Sequence, residues 1–492
     1  MSNRLPFSRY IESDGRERWG KAAGGLITAM EPILLDLNGT WLGWDGCVVE
    51  DAGREEFRLR DIGEIEGETH REERKQGTYK IGCVPITREE NDTYYNQFSN
   101  GTLWSLFHYF FEKCFIDYPA WRSYCEVNER FAEYILKVAA EDDVVWIQDF
   151  HLFMTPYYLR KKRPGQEIHF FLHIPFPHTD IFSILPWQKQ ILESLLCCNT
   201  VGFHHRQYMR NFMGAVELYR KEKRAFGETT TEDSIKSHFY ANPISIDFDL
   251  LDRTSKKPEV MKRKNQILHQ AACPKLILGV DRIDYSKGIK ERLLGLEMLL
   301  DEHPELREQF FYYQLVVPSR EQVDTYIQLK KEIDQIIGRI NGKFATGLWA
   351  PVHYNYGTIP FNELVALYSA ADVALVTPLR DGMNLVCKEY VAAHSDNDGV
   401  LVLSKFAGAI AEIKNCLPVN PYSIEDIANA IHQALQMPKG ERKKRMKKMR
   451  NNIRTHSIDT WLENCIKSFE YTAGENGEEK KVGEKEFFKP ME

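Results

Sequence analysis

No stretch of this chain approaches the ~18 consecutive apolar residues of a membrane-spanning helix, and the opening MSNRLPFSRY has no apolar core of a secretory signal. A membrane protein and a secreted protein are therefore not expected, and the reading places the chain in the cytoplasm. Its ten cysteines stand singly or as Cys197-Cys198, without the CxxC pairs that mark zinc sites. In a reducing compartment they predict neither a disulfide nor a metal site. No GxGxxG follows an early strand, which argues against a nicotinamide-dependent dehydrogenase. Positive charge is not in excess either: the formal net charge is −7, so general nucleic-acid binding is not expected. There is no internal repeat.

What is present is a chain of 492 residues with 43% hydrophobic content, enough for two or three sizeable cores. From Val144 onward, short apolar runs alternate with segments of helical period: strands at 144–148, 168–172 and 200–203, with helices from about Phe153, around 181–196 and through Tyr219. That alternation predicts a parallel, doubly wound sheet, with Asp149 and His173 just past the C-terminal ends of their strands, where such sheets bind ligands. A second series starts at Lys275-Leu-Ile-Leu-Gly-Val280 and continues with strands at 312–317, 373–377 and 400–404. The loop Asp281-Arg282-Ile-Asp-Tyr-Ser-Lys287-Gly288 places two cations, Arg282 and Lys287, between a strand end and a helix N-terminus, where a diphosphate could lie. The charged stretch from Val49 to Gly77 reads as a surface excursion, the basic run Lys439–Arg450 as a solvated helix face, and the Gly/Glu/Lys-rich tail from Gly474 as disordered.

The stretch Thr377-Pro-Leu-Arg-Asp381-Gly382-Met383-Asn384-Leu385-Val386-Cys387-Lys388-Glu389-Tyr390 reads as strand, turn and helix N-terminus. The first amides of such a helix lack intrahelical partners and sit at the positive end of its dipole, so Gly382 to Val386 can receive phosphate oxygens. Glu389 follows two turns later on the same face, about 10 Å away at ~1.5 Å per residue, which suits the span from diphosphate to ribose. On spacing alone, a capped helix with a solvated Glu389 fits as well.

The run RDGMNLVCKEYVAAH resembles the donor-binding signature of the trehalose-6-phosphate synthases, retaining glycosyltransferases of family 20. The likeness continues in family order through SNRLPFS, AAGGL, WLGWDG, YYNQFSNGTLW, WIQDFHL, FLHIPFPHTDIF, DRIDYSKG, VVPSR, INGKFA, VLVLSKFAGA and VNPY. It implies an α/β fold of GT-B architecture, two Rossmann-like domains facing across a cleft. The expected division is 1–245, completed by a C-terminal helix at about 457–473, then 246–456 and a tail at 474–492.

The activity implied is transfer of glucose from a nucleoside diphosphate donor, UDP-glucose or another NDP-glucose, to glucose 6-phosphate, giving α,α-trehalose 6-phosphate, with no cofactor or metal required. By the resemblance, Gly24, Gly25, Arg282, Lys287, Asp381, Gly382, Met383, Asn384, Leu385, Val386 and Glu389 bind the donor. Arg4, Trp44, Tyr95, Trp104, Asp149 and Arg320 bind the acceptor, and Asp149, His173, Arg282, Lys287 and Asp381 form the catalytic set. Gln148 stands where the family commonly has His, a position not counted among the sugar contacts. No phosphatase Asp-x-Asp motif follows the transferase region.

The family's first strand, which precedes the acceptor arginine, is absent ahead of Arg4. The expectation is that the reading frame begins upstream and that Arg4 is otherwise a loose terminal arm. Two other functions stay open: a glucosylglycerol-phosphate synthase using glycerol 3-phosphate, and a non-catalytic regulatory subunit, against which the retained Arg282, Lys287, Asp381 and Glu389 speak. Homo-oligomer formation is also left open.

Overall fold

The computed structural model describes residues 1–11, 16–21, 25–66, 78–225, 237–270, 274–319, 324–347 and 349–470. The second half is the more regular. Val-, Ile- and Leu-rich runs form six parallel strands in the spatial order Val352–Tyr356, Phe310–Val317, Lys275–Arg282, Val373–Val376, Val400–Ser404, Leu417–Val419. Numbered along the chain this is 3-2-1-4-5-6, the doubly wound order in which ligands bind where the winding reverses. The reversal lies between Lys275–Arg282 and Val373–Val376, so the loops after Arg282 and after Val376 meet at one crevice.

The two larger sheets of the first half are Leu59–Asp61, Lys80–Cys83 and Thr40–Gly43, and then Val144–Gln148, Glu167–Leu172, Thr200–Phe203 and His238–Ala241; Phe7–Ile11 with Glu17–Lys21 and Val48–Val49 with Ile86–Thr87 form two-stranded sheets beside them. The chain's first residues join them. Ser2 N–H donates to Leu42 O (3.1 Å) and Trp44 N–H to Asn3 O (2.8 Å) on one side, while Gln148 N–H donates to Met1 O (2.9 Å) on the other. The expected absence of an inner strand is thus corrected: Met1–Leu5 occupy that slot, extended if not a regular strand, and pair the backbone groups of both neighbours. The combined winding again reverses, here between Met1–Leu5 and Val144–Gln148, which brings Arg4 and Asp149 to one crevice.

The strands at 144–148, 200–203 and 400–404 match the sequence reading, and the others differ by one or two residues at their ends. The segment 88–107 is wound mostly as a π-helix, Asn91–Leu103, between the short helices Arg88–Glu90 and Trp104–Phe107. The last helix, Ile458–Phe469, returns to the first half, where Trp461 packs on Phe171 (ring centroids 5.2 Å) and Trp146 (5.7 Å). The basic run lies in helix Lys439–Thr455, with Lys443, Lys444, Lys447 and Lys448 exposed and Met446 and Met449 buried. The residues from 474 onward lie outside the described residues. No described helix is long and apolar enough to cross a membrane.

Candidate active site

The second half's crevice is built from the two loops at its reversal point. Lys287 and Asp381 are both buried, and their Nζ–Oδ2 separation is 2.6 Å. Burial pushes the Asp381 carboxyl up, but the Lys287 ammonium and the Asn384 amide, 3.1 Å away, outweigh it and hold the group below its usual range. Asp381 is therefore an anion already saturated by a cation and an amide. Arg282, at the strand end, is exposed. Helix Leu385–Ala393 starts three residues later than Gly382, because Asn384, at φ +77°, caps it by accepting from Cys387 N–H (3.2 Å). Glu389 is half-buried and accepts from Tyr368 OH (2.8 Å); burial raises its carboxyl above the ordinary 4.5, against the lowering effect of that hydrogen bond.

Beneath both loops lies a residue that motif reading missed. Arg292, fully buried, donates to Asp281 Oδ2 (2.6 Å), Thr377 Oγ1 (3.0 Å), Gln314 Oε1 (3.1 Å) and Lys287 O (3.3 Å). One guanidinium thus fixes both strand ends and the main chain of Lys287. A helical arginine among leucines reads as a snorkelling surface residue, so only its position opposite Asp281 reveals it.

At the first half's reversal point, the Arg4 guanidinium lies 4.3 Å from the centre of the Trp44 ring, and Trp44 in turn packs edge-on to Tyr95 (5.8 Å). Gly46, at φ +95°, leaves the room that the Arg4 side chain occupies: a β-carbon there would lie 2.6 Å from Arg4 Nη1. Trp104 is buried against the His108 ring (4.0 Å), and burial lowers His108 to about 4. Asp149 holds an unusual backbone for a non-glycine residue, φ +73°, and its Oδ1 accepts from His173 N–H (3.2 Å). Gly24 and Arg320 lie outside the described residues; Gly25 opens helix Gly25–Leu37.

His173 sits between the halves. Its Nε2 is 2.8 Å from Gln148 Oε1 and its Nδ1 3.2 Å from His204 Nε2, while His204 Nδ1 accepts from Ile244 N–H (3.3 Å). Each donor finds an acceptor if both rings are neutral with hydrogen on Nε2. Burial lowers His173 to about 3, consistent with a neutral ring. Gln148, not counted among the sugar contacts, orients this imidazole. Ile244 is also gripped from the other half, where buried Lys388 donates to its carbonyl (2.8 Å) and pairs with Glu412 (2.6 Å).

The two crevices face each other in contact. Tyr208 OH donates to Asp381 O (3.2 Å), and a β-carbon on Gly382 would strike the His173 carbonyl oxygen and come within 3.0 Å of Ile174 Cα. Among the described residues, the one group that brings three potential metal-ligand atoms within 4.8 Å of one another is His303, Glu305 and His432. It lies beyond the C-terminal end of helix Ile289–Glu302, about 20 Å from Lys287 at ~1.5 Å per residue, and plays no part in this site.

The chain matches the family model for glycosyltransferase family 20 over residues 1–471. It is 39% identical to a trehalose-6-phosphate synthase of Mycolicibacterium smegmatis, over 98% of this chain and 94% of that protein. It is 38% identical to one of Mycolicibacterium paratuberculosis, over 95% and 94%. Among solved structures, it superposes on a UDP-forming α,α-trehalose-phosphate synthase of Burkholderia xenovorans in complex with glucose 6-phosphate, at TM-score 0.81 and 32% identity, covering 92% of this chain and 97% of that one. A structure from E. coli bound with UDP-2-fluoro glucose aligns at TM-score 0.81 and 33% identity, over 92% and 98%.

Proposed function

This chain belongs to glycosyltransferase family 20, and from that premise we infer that it transfers glucose from UDP-glucose to glucose 6-phosphate, giving α,α-trehalose 6-phosphate and UDP with anomeric configuration retained. The observation that carries the reading is the meeting of two reversal-point crevices, Gly382 of one against His173 of the other. That meeting sets the ends of the two crevices side by side. The division of labour follows: residues 1–245 with the last helix hold the acceptor, 246–456 the donor.

In the reaction the bond from the donor's anomeric carbon to the diphosphate oxygen breaks while the acceptor's anomeric hydroxyl oxygen bonds to that carbon from the same face. The hydroxyl proton passes to the departing diphosphate oxygen. No protein carboxylate is needed as nucleophile, which agrees with an Asp381 already held by Lys287 and Asn384. Lys287, Arg282 and the amides from Gly382 to Val386 stabilise the leaving diphosphate, an electrostatic task for preorganised donors. Asp381 and His173 hold the transferred glucose, Met383 and Asn384 shape the turn over it, and Glu389 binds ribose. Gly24 and Gly25 approach the donor from the other half. Arg4, Tyr95, Trp104 and Arg320 bind the acceptor phosphate, with Trp44 supporting Arg4 and Asp149 on the sugar hydroxyls. The chemistry calls for no cofactor, and a cytoplasmic location fits substrates that are phosphorylated metabolites.

Purified protein incubated with UDP-, GDP- or ADP-glucose against glucose 6-phosphate or glycerol 3-phosphate, with products identified by mass, tests the reading. Trehalose 6-phosphate from the UDP-glucose and glucose 6-phosphate pair is expected; a glycerol product or none overturns it.

Two further outcomes follow from the site. Gly382→Ala must push the halves apart by about an ångström, and misplacement on that scale costs on the order of 100-fold in kcat/KM. Steady-state kinetics with a parallel melting curve will show whether activity falls while the fold survives. Glu389, if it binds ribose, does so as a carboxylate, so the apparent donor KM should rise as pH falls toward its raised pKa, beginning above pH 4.5. In Glu389→Gln that slope should vanish; an unchanged slope would assign it to another group.

A further inference from the structure

Helix Trp104–Phe107 ends in a turn whose two closing hydrogen bonds run from Phe110 N–H to Ser105 O (2.8 Å) and from Tyr109 N–H to Leu106 O (2.9 Å). This six-to-one, five-to-two pattern needs a left-handed residue at its fifth position, which is usually glycine or asparagine. Here it is Tyr109, at φ +68°. A residue with a β-carbon and a bulky ring is disfavoured in that region, and strain of this kind persists where surrounding structure or function requires the side chain.

The ring of Tyr109 explains what is gained. Its hydroxyl accepts from His178 N–H (2.8 Å) within the first half, and its face carries the Arg380 guanidinium of the second half, 3.8 Å from the ring centre. Arg380 immediately precedes Asp381-Gly382. The same short segment also reaches the other donor loop. Ser105 Oγ is 2.8 Å from Tyr285 OH, Phe110 packs edge-on to the Tyr285 ring (5.0 Å), and Lys113 Nζ lies 5.5 Å from that ring's centre. Tyr285 stands two residues before Lys287. Upstream, the segment is continuous with Tyr95 and Trp104 of the acceptor crevice.

We propose that Ser105–Lys113 is a strap that couples the acceptor crevice to both donor loops, with Tyr109 the positioning residue that holds Arg380-Asp381-Gly382 in register for transfer. The proposal rests on the glucosyl-transfer reading and adds to it a residue outside the donor and acceptor sets assigned above. Occupation of the acceptor crevice steadies the strap, the strap steadies the two loops, and the nucleotide then binds to loops already in place.

The test compares wild type with Tyr109→Gly and Tyr109→Phe. Glycine suits the turn, so its melting temperature should match or exceed that of wild type while kcat/KM falls about 5- to 30-fold, the range of a partly desolvated cation–ring contact. Tyr109→Phe keeps the ring and should recover kcat/KM to within about threefold of wild type on the same contact. Calorimetry with UDP, with and without glucose 6-phosphate, supplies a readout independent of turnover: the sugar phosphate should tighten UDP binding in wild type and in Tyr109→Phe, and not in Tyr109→Gly. The same tightening in all three proteins, or a glycine variant as active as wild type, overturns the strap. If wild type makes no product, the functional reading falls, and UDP calorimetry still decides the strap by the same criterion.

Discussion

Arg292→Met should destabilise the second half by about 3–5 kcal/mol, the cost of leaving a buried charge without its partner. The guanidinium is fully buried and is paired with Asp281, itself 5% exposed; without it Asp281 keeps a charge that water cannot reach. Gln314 and Thr377 lose a donor at the same time, and unpaired buried groups add to the penalty. For a cooperative unit of about 200 residues the melting temperature should fall by roughly 6–20 °C. Turnover should fall too at temperatures where the fold persists, since the Lys287 carbonyl and the strand end at Thr377 lose their common anchor. Lys330→Met, which breaks an exposed pair with Asp334, is the control and should cost no more than about 1 kcal/mol. Equal melting temperatures for the two variants would show that Arg292 is not the anchor.

Lys287→Met is expected to lower turnover by on the order of 100- to 1000-fold, as loss of a preorganised charge at a leaving group does. It also strands Asp381, so part of the damage is to the loop itself. Two companions separate the effects. Arg282→Ala removes an exposed cation that leaves no buried partner behind among the described residues; turnover should fall with the melting temperature unmoved. Lys287→Met combined with Asp381→Asn removes both charges, so stability should return while turnover stays low. If Lys287→Met keeps turnover within a few fold at saturating donor, the lysine serves the fold and not the leaving group.

How much of this could be read without the fold depends on the range of the interaction. Hydrophobic period is local, and it located the strands at 144–148, 200–203 and 400–404 and the strand-loop-helix units carrying Asp149, Arg282, Lys287 and Asp381. Cap chemistry is local as well, although the Asn384 cap moved the helix start past Gly382. The π-helical winding of Asn91–Leu103 leaves no such trace: its residues show no clean 3.6 period, and Asn100-Gly101, a pair that reads as a turn, lies inside it.

The sequence by itself determined two doubly wound units, the loops at their strand ends and, through its motifs, the kind of reaction. Periodicity and turn chemistry act over a few residues, and they survive in any arrangement of the units. Only the tertiary structure decided that Met1–Leu5 fill the inner slot of the first sheet, since their pairing partners lie about 40 and 145 residues away and a five-residue run has too little pattern of its own. It likewise decided that Gln148 and His204 orient His173, that Lys388 grips Ile244, that Arg292 reaches Asp281 and Thr377, and that Gly382 meets His173. Those contacts depend on directional hydrogen bonds and close packing between segments that the chain brings together only when both sheets are complete.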